Sequence, residues 1–162
     1  MKPKARPRVM MGLAGGGSAA ILLAAFGFQY IGDLLPCAIC LWQRWPHVFA
    51  MALGAVGVVF PMVWVAGLGA ITMLGNAGIA VFHTGVERGW WIGPNTCGQA
   101  GAQDLTTLSA DALLDTSQGP RLVLCDQVAW EFLSLSMASW NGIACLVLAG
   151  LWIKAGIGRF SS

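Results

Sequence analysis

The chemistry of this chain is concentrated in its five cysteines. Two of them stand as C-x-x-C in Pro36-Cys37-Ala38-Ile39-Cys40, the spacing of disulfide oxidoreductases, in which a short turn and neighbouring dipoles lower a thiol pKa. Zinc ligation uses the same spacing, and His47, His83 or Cys97 would complete a tetrahedral set. The second half of a usual zinc pattern is absent, so no metal is expected. Haem attachment is closed, because Leu41 and not histidine follows the second cysteine. Arg44 lies four residues beyond Cys40 and shares its helix face if the segment is already helical there. A guanidinium beside a thiol favours the thiolate. The competing role for Arg44 is an interface anchor that reaches to lipid headgroups. Pro46 is tolerated if it falls in the first turn of that helix.

Cys97 and Cys125 form a second pair around a polar segment holding Gly98, Gly101, Gly119, Pro120 and several acids, within which Ser109 to Asp115 is expected to form a short amphipathic turn. Closing such a loop costs chain entropy of roughly 3 to 4 kcal/mol, so a disulfide across it is expected to be comparatively easy to reduce. That suits an oxidant, and a purely structural staple is the alternative. Cys145 stands inside an apolar run, where a free cysteine behaves as a small hydrophobe.

The elements that position these residues follow from hydropathy. Of 162 residues, 57% are hydrophobic and only 10% charged, against about 25% charged in soluble domains. Runs long enough to cross a hydrocarbon core of about 30 Å are expected at 10–31, 45–60, 63–83 and 133–153, the middle two separated by Phe60-Pro61-Met62. The fold class is therefore an all-α membrane protein: one membrane domain, a four-transmembrane-helix bundle, with outward loops at 32–44 and 84–132. Lys2, Lys4, Arg6, Arg8, Lys154 and Arg159 gather on the terminal side, while Asp33, Glu87, Asp104, Asp111, Asp115, Asp126 and Glu131 all fall opposite. Retention of Lys and Arg on the cytoplasmic face predicts cytoplasmic termini and periplasmic loops, in a bacterial inner membrane. The four loop cysteines are then on an oxidising side.

No basic patch interleaved with aromatics points to nucleic acid. The basic start could belong to a secretory signal peptide, but its apolar run exceeds the about 7 to 15 residues of such a segment. Gly12 and Gly16 make a GxxxG pair, and Gly54, Gly57, Gly67, Gly75 and Gly78 suit close helix packing. Thr72 and Asn76 are expected to make interhelical hydrogen bonds. Trp42, Trp45, Trp90, Trp91, Trp130 and Trp140 are expected as interfacial anchors, some flanking a bound ring.

A C-x-x-C with arginine at the fourth position after it, four apolar runs and a second cysteine pair in the long outer loop resemble the disulfide bond formation protein B (DsbB) family over essentially the whole chain. The stretches Phe82-His83-Thr84-Gly85-Val86-Glu87-Arg88-Gly89-Trp90-Trp91 and Cys125-Asp126-Gln127-Val128-Ala129-Trp130 look like its alphaproteobacterial branch. The resemblance implies a thiol:quinone oxidoreductase whose partner is a periplasmic, DsbA-like thioredoxin-fold protein. It implies that Cys97, Cys125, Cys37 and Cys40 are catalytic. The partner attacks the Cys97-Cys125 disulfide at Cys97, Cys125 then attacks Cys37, and Cys40 is left as the thiolate from which ubiquinone or menaquinone takes electrons. Arg44 and Cys40 would bind that quinone, and His47 and His83 would line its pocket or relay protons, a solvated interfacial role being the alternative for both histidines. Other readings are a vitamin K epoxide reductase-like oxidase, whose C-x-x-C belongs to a later helix, a metal-binding membrane protein, and a non-catalytic four-span scaffold with structural loop disulfides.

Overall fold

The structure, a computed structural model, describes residues 5–94, 97 and 124–160. The turn expected at Ser109 to Asp115 lies outside them. Four helices stand among the described residues: α1 (Ala5–Tyr30), α2 (Ala38–Val59), α3 (Val63–Glu87) and α4 (Met137–Phe160). α1 packs on α2 and α4, and α3 packs on the same two helices, so the four close into a ring. Three helical segments, Pro7–Tyr30, Val63–Glu87 and Met137–Gly158, are long and apolar enough to cross a membrane. α2 has 22 residues, but Gln43, Arg44, Pro46 and His47 dilute the hydropathy of its first half. The chain is thus an all-α bundle and a multi-pass membrane protein.

The helix ends follow from local chemistry. Cys37 is the N-cap of α2, in extended conformation, and its sulfur accepts the backbone N–H of Cys40 at 3.2 Å. Helix α2 therefore begins inside the C-x-x-C, and Cys40 and Arg44 stand one turn apart on it. Pro46 sits inside α2, beyond its first turn. At the other end Pro61 forces a tight reversal, with Phe60 N–H donating to Val56 O at 2.7 Å and Met62 N–H to Phe60 O at 2.8 Å. α3 closes on Gly89 at φ +68°, where Trp90 N–H reaches Gly85 O at 2.8 Å and Gly89 N–H reaches Val86 O at 3.1 Å. This paired closure needs a left-handed residue, which glycine adopts without a Cβ penalty. Before α4, a two-residue hairpin pairs β1 (Glu131–Phe132) with β2 (Leu135–Ser136), antiparallel, through Leu133 and Ser134 at φ 53° and 60°.

The core is built from small residues against a few large ones. A Cβ placed on Gly15 would stand 2.8 Å from Gly54 Cα, so α1 and α2 meet backbone to backbone there. Gly57 receives Met11, and Gly69 receives the ring of Trp152, which is fully buried. The close approach in α1 is thus at Gly15, one residue away from the expected Gly12 and Gly16 pair: Gly16 meets nothing, Gly12 meets only the Val58 side chain, and Gly67, Gly75 and Gly78 also face open space. Register around the helix, which spacing alone leaves undetermined, decides which glycine of a cluster faces its neighbour. Asn76 does bond between helices, its Nδ2 donating to Gln43 O at 3.1 Å and to Cys145 Sγ at 3.3 Å. Thr72 does not, because its hydroxyl is spent on Leu68 O at 2.8 Å within its own helix.

Candidate redox site

One end of the bundle gathers the two cysteine pairs. Cys37 and Cys40 are free thiols, with sulfurs hydrogen-bonded at 2.9 Å. Cys97 and Cys125 are joined as a disulfide. The pairs do not lie apart: Cys37 and Cys125, both buried, belong to one packed cluster with Ile39 and Val86, against which Cys40 and Cys97 also pack. Within the second pair, Cys125 is only 1% exposed, whereas Cys97 is half-buried and borders a cleft of about 370 Å³ lined by Trp90, Trp91, Pro94 and Asp126. Cys97 is thus the more exposed sulfur of the pair.

Cys37 sits where a thiolate is favoured. The Cys40 N–H points at its sulfur from the first turn of α2, so the positive end of the helix dipole faces it. His83 Nε2 lies 3.4 Å from the same sulfur. The Cys37 thiol is held well below the ordinary thiol range, chiefly by the hydrogen bond with Cys40 and then by His83, which together outweigh the opposing effect of burial. Cys40 is pushed up, first by its hydrogen bond with Cys37 and then by burial. The two shifts are one fact: once Cys37 ionises, Cys40 holds the shared proton and must be the donor. His83 is oriented from its other edge, where Nδ1 donates to Gln43 Oε1 at 3.4 Å, and Glu87 Oε1 lies 3.8 Å from Nε2.

Beside the first pair opens a cavity of about 390 Å³, bordered by Cys37, Cys40, Arg44, His47 and His83, together with Gln43, Glu87 and Asn141. Apolar and aromatic side chains complete it, among them Leu22, Phe28, Trp130 and Trp140. Trp130 packs on Phe28 at 5.3 Å between ring centroids, which stiffens that wall. Arg44 Nη1 donates to Gln29 Oε1 at 2.7 Å and its guanidinium lies 5.0 Å from the centre of the Phe26 ring. His47 Nε2 bonds Asn141 Oδ1 at 2.9 Å. Arg44 Nε, Gln43 Nε2 and Asn141 Nδ2 are buried without a protein partner. Buried donors of this kind are costly unless a ligand or water accepts from them. A flat apolar ring carrying carbonyl oxygens fits such a wall, so the residues present suit a quinone.

All five expected residues of the first pair and its surroundings thus border one cavity, while Cys97 and Cys125 pack behind it. Gln43, Glu87 and Asn141 were not singled out in the sequence. The available signal was a polar residue in an apolar stretch: Gln43 beside Arg44, Asn141 within the fourth run, and Glu87 one helical turn after His83. Cys145, expected as a small hydrophobe, is fully buried in the core.

Two cysteine couples gathered in one cluster at one end of an apolar helical bundle define a membrane thiol-redox protein. The chain belongs to the disulfide bond formation protein DsbB family, whose model matches residues 7–155. It is 26% identical over 156 residues to "Disulfide bond formation protein B" of Dechloromonas aromatica, covering 89% of this chain and 87% of that one. It is 28% identical over 155 residues to the protein of that name from Hahella chejuensis, covering 87% and 88%. With that of Aeromonas salmonicida it shares 26% identity over 141 residues, covering 82% and 78%. These relatives come from beta- and gammaproteobacteria, so membership is established for the family and not for its alphaproteobacterial branch. No solved structure matches the chain significantly. Family membership and the paired cysteines make the chain an oxidoreductase at the family level.

Proposed function

We propose that the protein is a quinone-dependent thiol oxidase of a bacterial inner membrane that reoxidises a periplasmic, DsbA-like dithiol protein, and that it is of the alphaproteobacterial type. The observation that carries this reading is that Cys125 and Cys37 share one buried cluster, which sets a disulfide near a dithiol that borders a lined cavity. In this reading all four helices cross the membrane, with both termini cytoplasmic, as the placement of Lys and Arg favours.

The cycle starts with the Cys37-Cys40 pair oxidised. A partner thiolate attacks Cys97 Sγ, a mixed disulfide forms, and the electron pair of the broken bond leaves on Cys125. The Cys125 thiolate attacks Cys37 Sγ, and Cys40 departs as the thiolate. The partner's second thiol resolves the mixed disulfide and frees Cys97, which attacks Cys125 and restores the outer disulfide while Cys37 is released. Two electrons and two protons have then passed from the partner to the first pair. While Cys37 is bound to Cys125 it no longer competes for charge, so the anion falls on Cys40, one turn from Arg44. Bound ubiquinone or menaquinone would supply the acceptor for that electron pair and the two protons. Arg44, Gln43 and Asn141 would hold its oxygens, and His83 and His47 would hold or pass protons at their Nε2 atoms.

The test is oxidation of a reduced DsbA-like protein by the purified protein with added ubiquinone or menaquinone. Turnover is expected from the wild type and from Cys145→Ala. Cys97→Ser and Cys125→Ser should lose oxidation of the partner while keeping a quinone-reoxidisable first pair. Full partner oxidation by the double serine variant would make the long loop a structural element only and overturn the relay.

A further inference from the structure

The reduced first pair has the donor set of a metal site. Cys37 Sγ, Cys40 Sγ and His83 Nε2 all lie within 4.8 Å of one another. Zinc at about 2.3 Å from sulfur and about 2.0 Å from nitrogen, in tetrahedral geometry, sets neighbouring donor atoms roughly 3.4 to 3.8 Å apart. The Cys37 to His83 edge, 3.4 Å, already has that spacing. The edge between the sulfurs, 2.9 Å, must open by under about 1 Å, within reach of a small rotation of a thiol side chain.

Two further observations separate this cluster from a chance grouping. Metal-binding imidazoles have their second nitrogen fixed by an outer carbonyl or carboxylate, and His83 Nδ1 meets Gln43 Oε1 at 3.4 Å, with Gln43 itself anchored through its main-chain oxygen by Asn76. Beside Nε2 stands Glu87, its side chain buried, with Oε1 at 3.8 Å and the Ser136 hydroxyl as a hydrogen-bonding neighbour of the carboxylate. A buried carboxylate beside that imidazole adds negative charge that favours a cation nearby.

We propose that the reduced Cys37-Cys40 dithiol and His83 form a binding site for a thiophilic divalent cation of the zinc class, beside the Glu87 carboxylate. Binding exchanges the one proton that the two sulfurs share for the cation, releases it to solvent, and changes no oxidation state. The oxidised pair offers no such site, because its sulfurs are bonded to each other. Resting on the reading above, in which this pair must be reoxidised in every cycle, the consequence is inhibition that sets in only after electrons have entered. With both sulfurs committed as ligands, the bond between them cannot re-form.

Binding is read directly, apart from turnover, on full-length protein in detergent carrying Cys97→Ala and Cys125→Ala, so that only the first pair can present two thiols. Zn2+ is titrated against a chromophoric chelator, and Co2+ is used to read sulfur-to-metal charge-transfer absorption. The reduced protein should bind one equivalent with that absorption, and the same protein oxidised at Cys37-Cys40 should bind none. Gln43→Leu should weaken binding by about tenfold, and His83→Gln by more. Equal binding by the oxidised and reduced forms, or no binding by reduced protein whose two thiols are shown to be free, overturns the proposal, and the redox comparison needs no ligand variant to fold. Zinc binding in a protein that never oxidises a partner would sink the oxidase reading and leave this one standing. Turnover by wild-type protein that excess Zn2+ leaves untouched would sink the inhibition alone.

Discussion

Arg44 is fixed on two sides, by the hydrogen bond to Gln29 and by the Phe26 ring, and keeps one buried N–H without a protein partner. A guanidinium so placed meets charge at the cavity wall with its orientation already set, and lysine supplies the charge without the planar fork. Arg44→Ala should therefore slow quinone-dependent reoxidation of the first pair or raise the apparent quinone KM, with Arg44→Lys intermediate and exchange with the protein partner close to wild type. Separate assays of the two half-reactions check this; unchanged quinone reduction in Arg44→Ala would reduce Arg44 to a lipid anchor. Cys37 yields a pH prediction. Its thiol is held below the ordinary range, so in reduced protein it remains thiolate as pH falls through the ordinary thiol value of about 8.5. Alkylation of Cys37 should thus stay near its plateau well below that pH, and Cys37 should react ahead of Cys40, as peptide mapping after brief exposure to iodoacetamide would show. Reaction rising only above that value would contradict it. At this scale the cysteines and Arg44 were legible because their types and spacing are rare in an apolar chain. Gln43, Glu87 and Asn141 were not, because their roles arise only once α2, α3 and α4 are set face to face.

Helices were easy to locate and their ends were not. Hydropathy reports where lipid can lie, whereas a helix begins where its first N–H groups find acceptors, and here the acceptor is the Cys37 sulfur itself. The same distinction explains α2, whose polar first half serves the cavity and costs it the hydropathy of a plain crossing. Packing faces were equally hidden: five expected glycines meet open space or a single side chain, and Gly15, which was not expected, meets Gly54. A Cβ at Gly54 would stand 2.6 Å from Gly15 Cα, so Gly54→Val must push α1 and α2 apart. It should destabilise the bundle by about 1 to 3 kcal/mol, seen as a lower Tm in detergent. Gly67→Ala, where nothing lies within 4 Å, should leave Tm unchanged or slightly higher. Equal losses in the two variants would mean that the helices do not meet as described.

For the molecule as a whole, charge placement could be read from the chain, but the contact between its two cysteine pairs could not. The pairs come from loops separated by two helices, and only closure of the ring of four brings Cys125 and Cys37 into one cluster with Ile39 and Val86. Impermeant maleimide applied to reduced, intact spheroplasts should label the loop cysteines from outside; labelling only after the membrane is opened would invert the topology. The relay itself rests on direct passage between the pairs. Its most direct measurement is disulfide mapping by mass spectrometry in a Cys40→Ala, Cys97→Ala variant, which leaves Cys37 and Cys125 without their usual partners. Mild oxidation should join Cys37 to Cys125 within one chain in near-quantitative yield, with Cys145 left free. If the two instead remain as thiols, or pair only between molecules, the cysteine couples do not meet and electrons cannot pass between them as described.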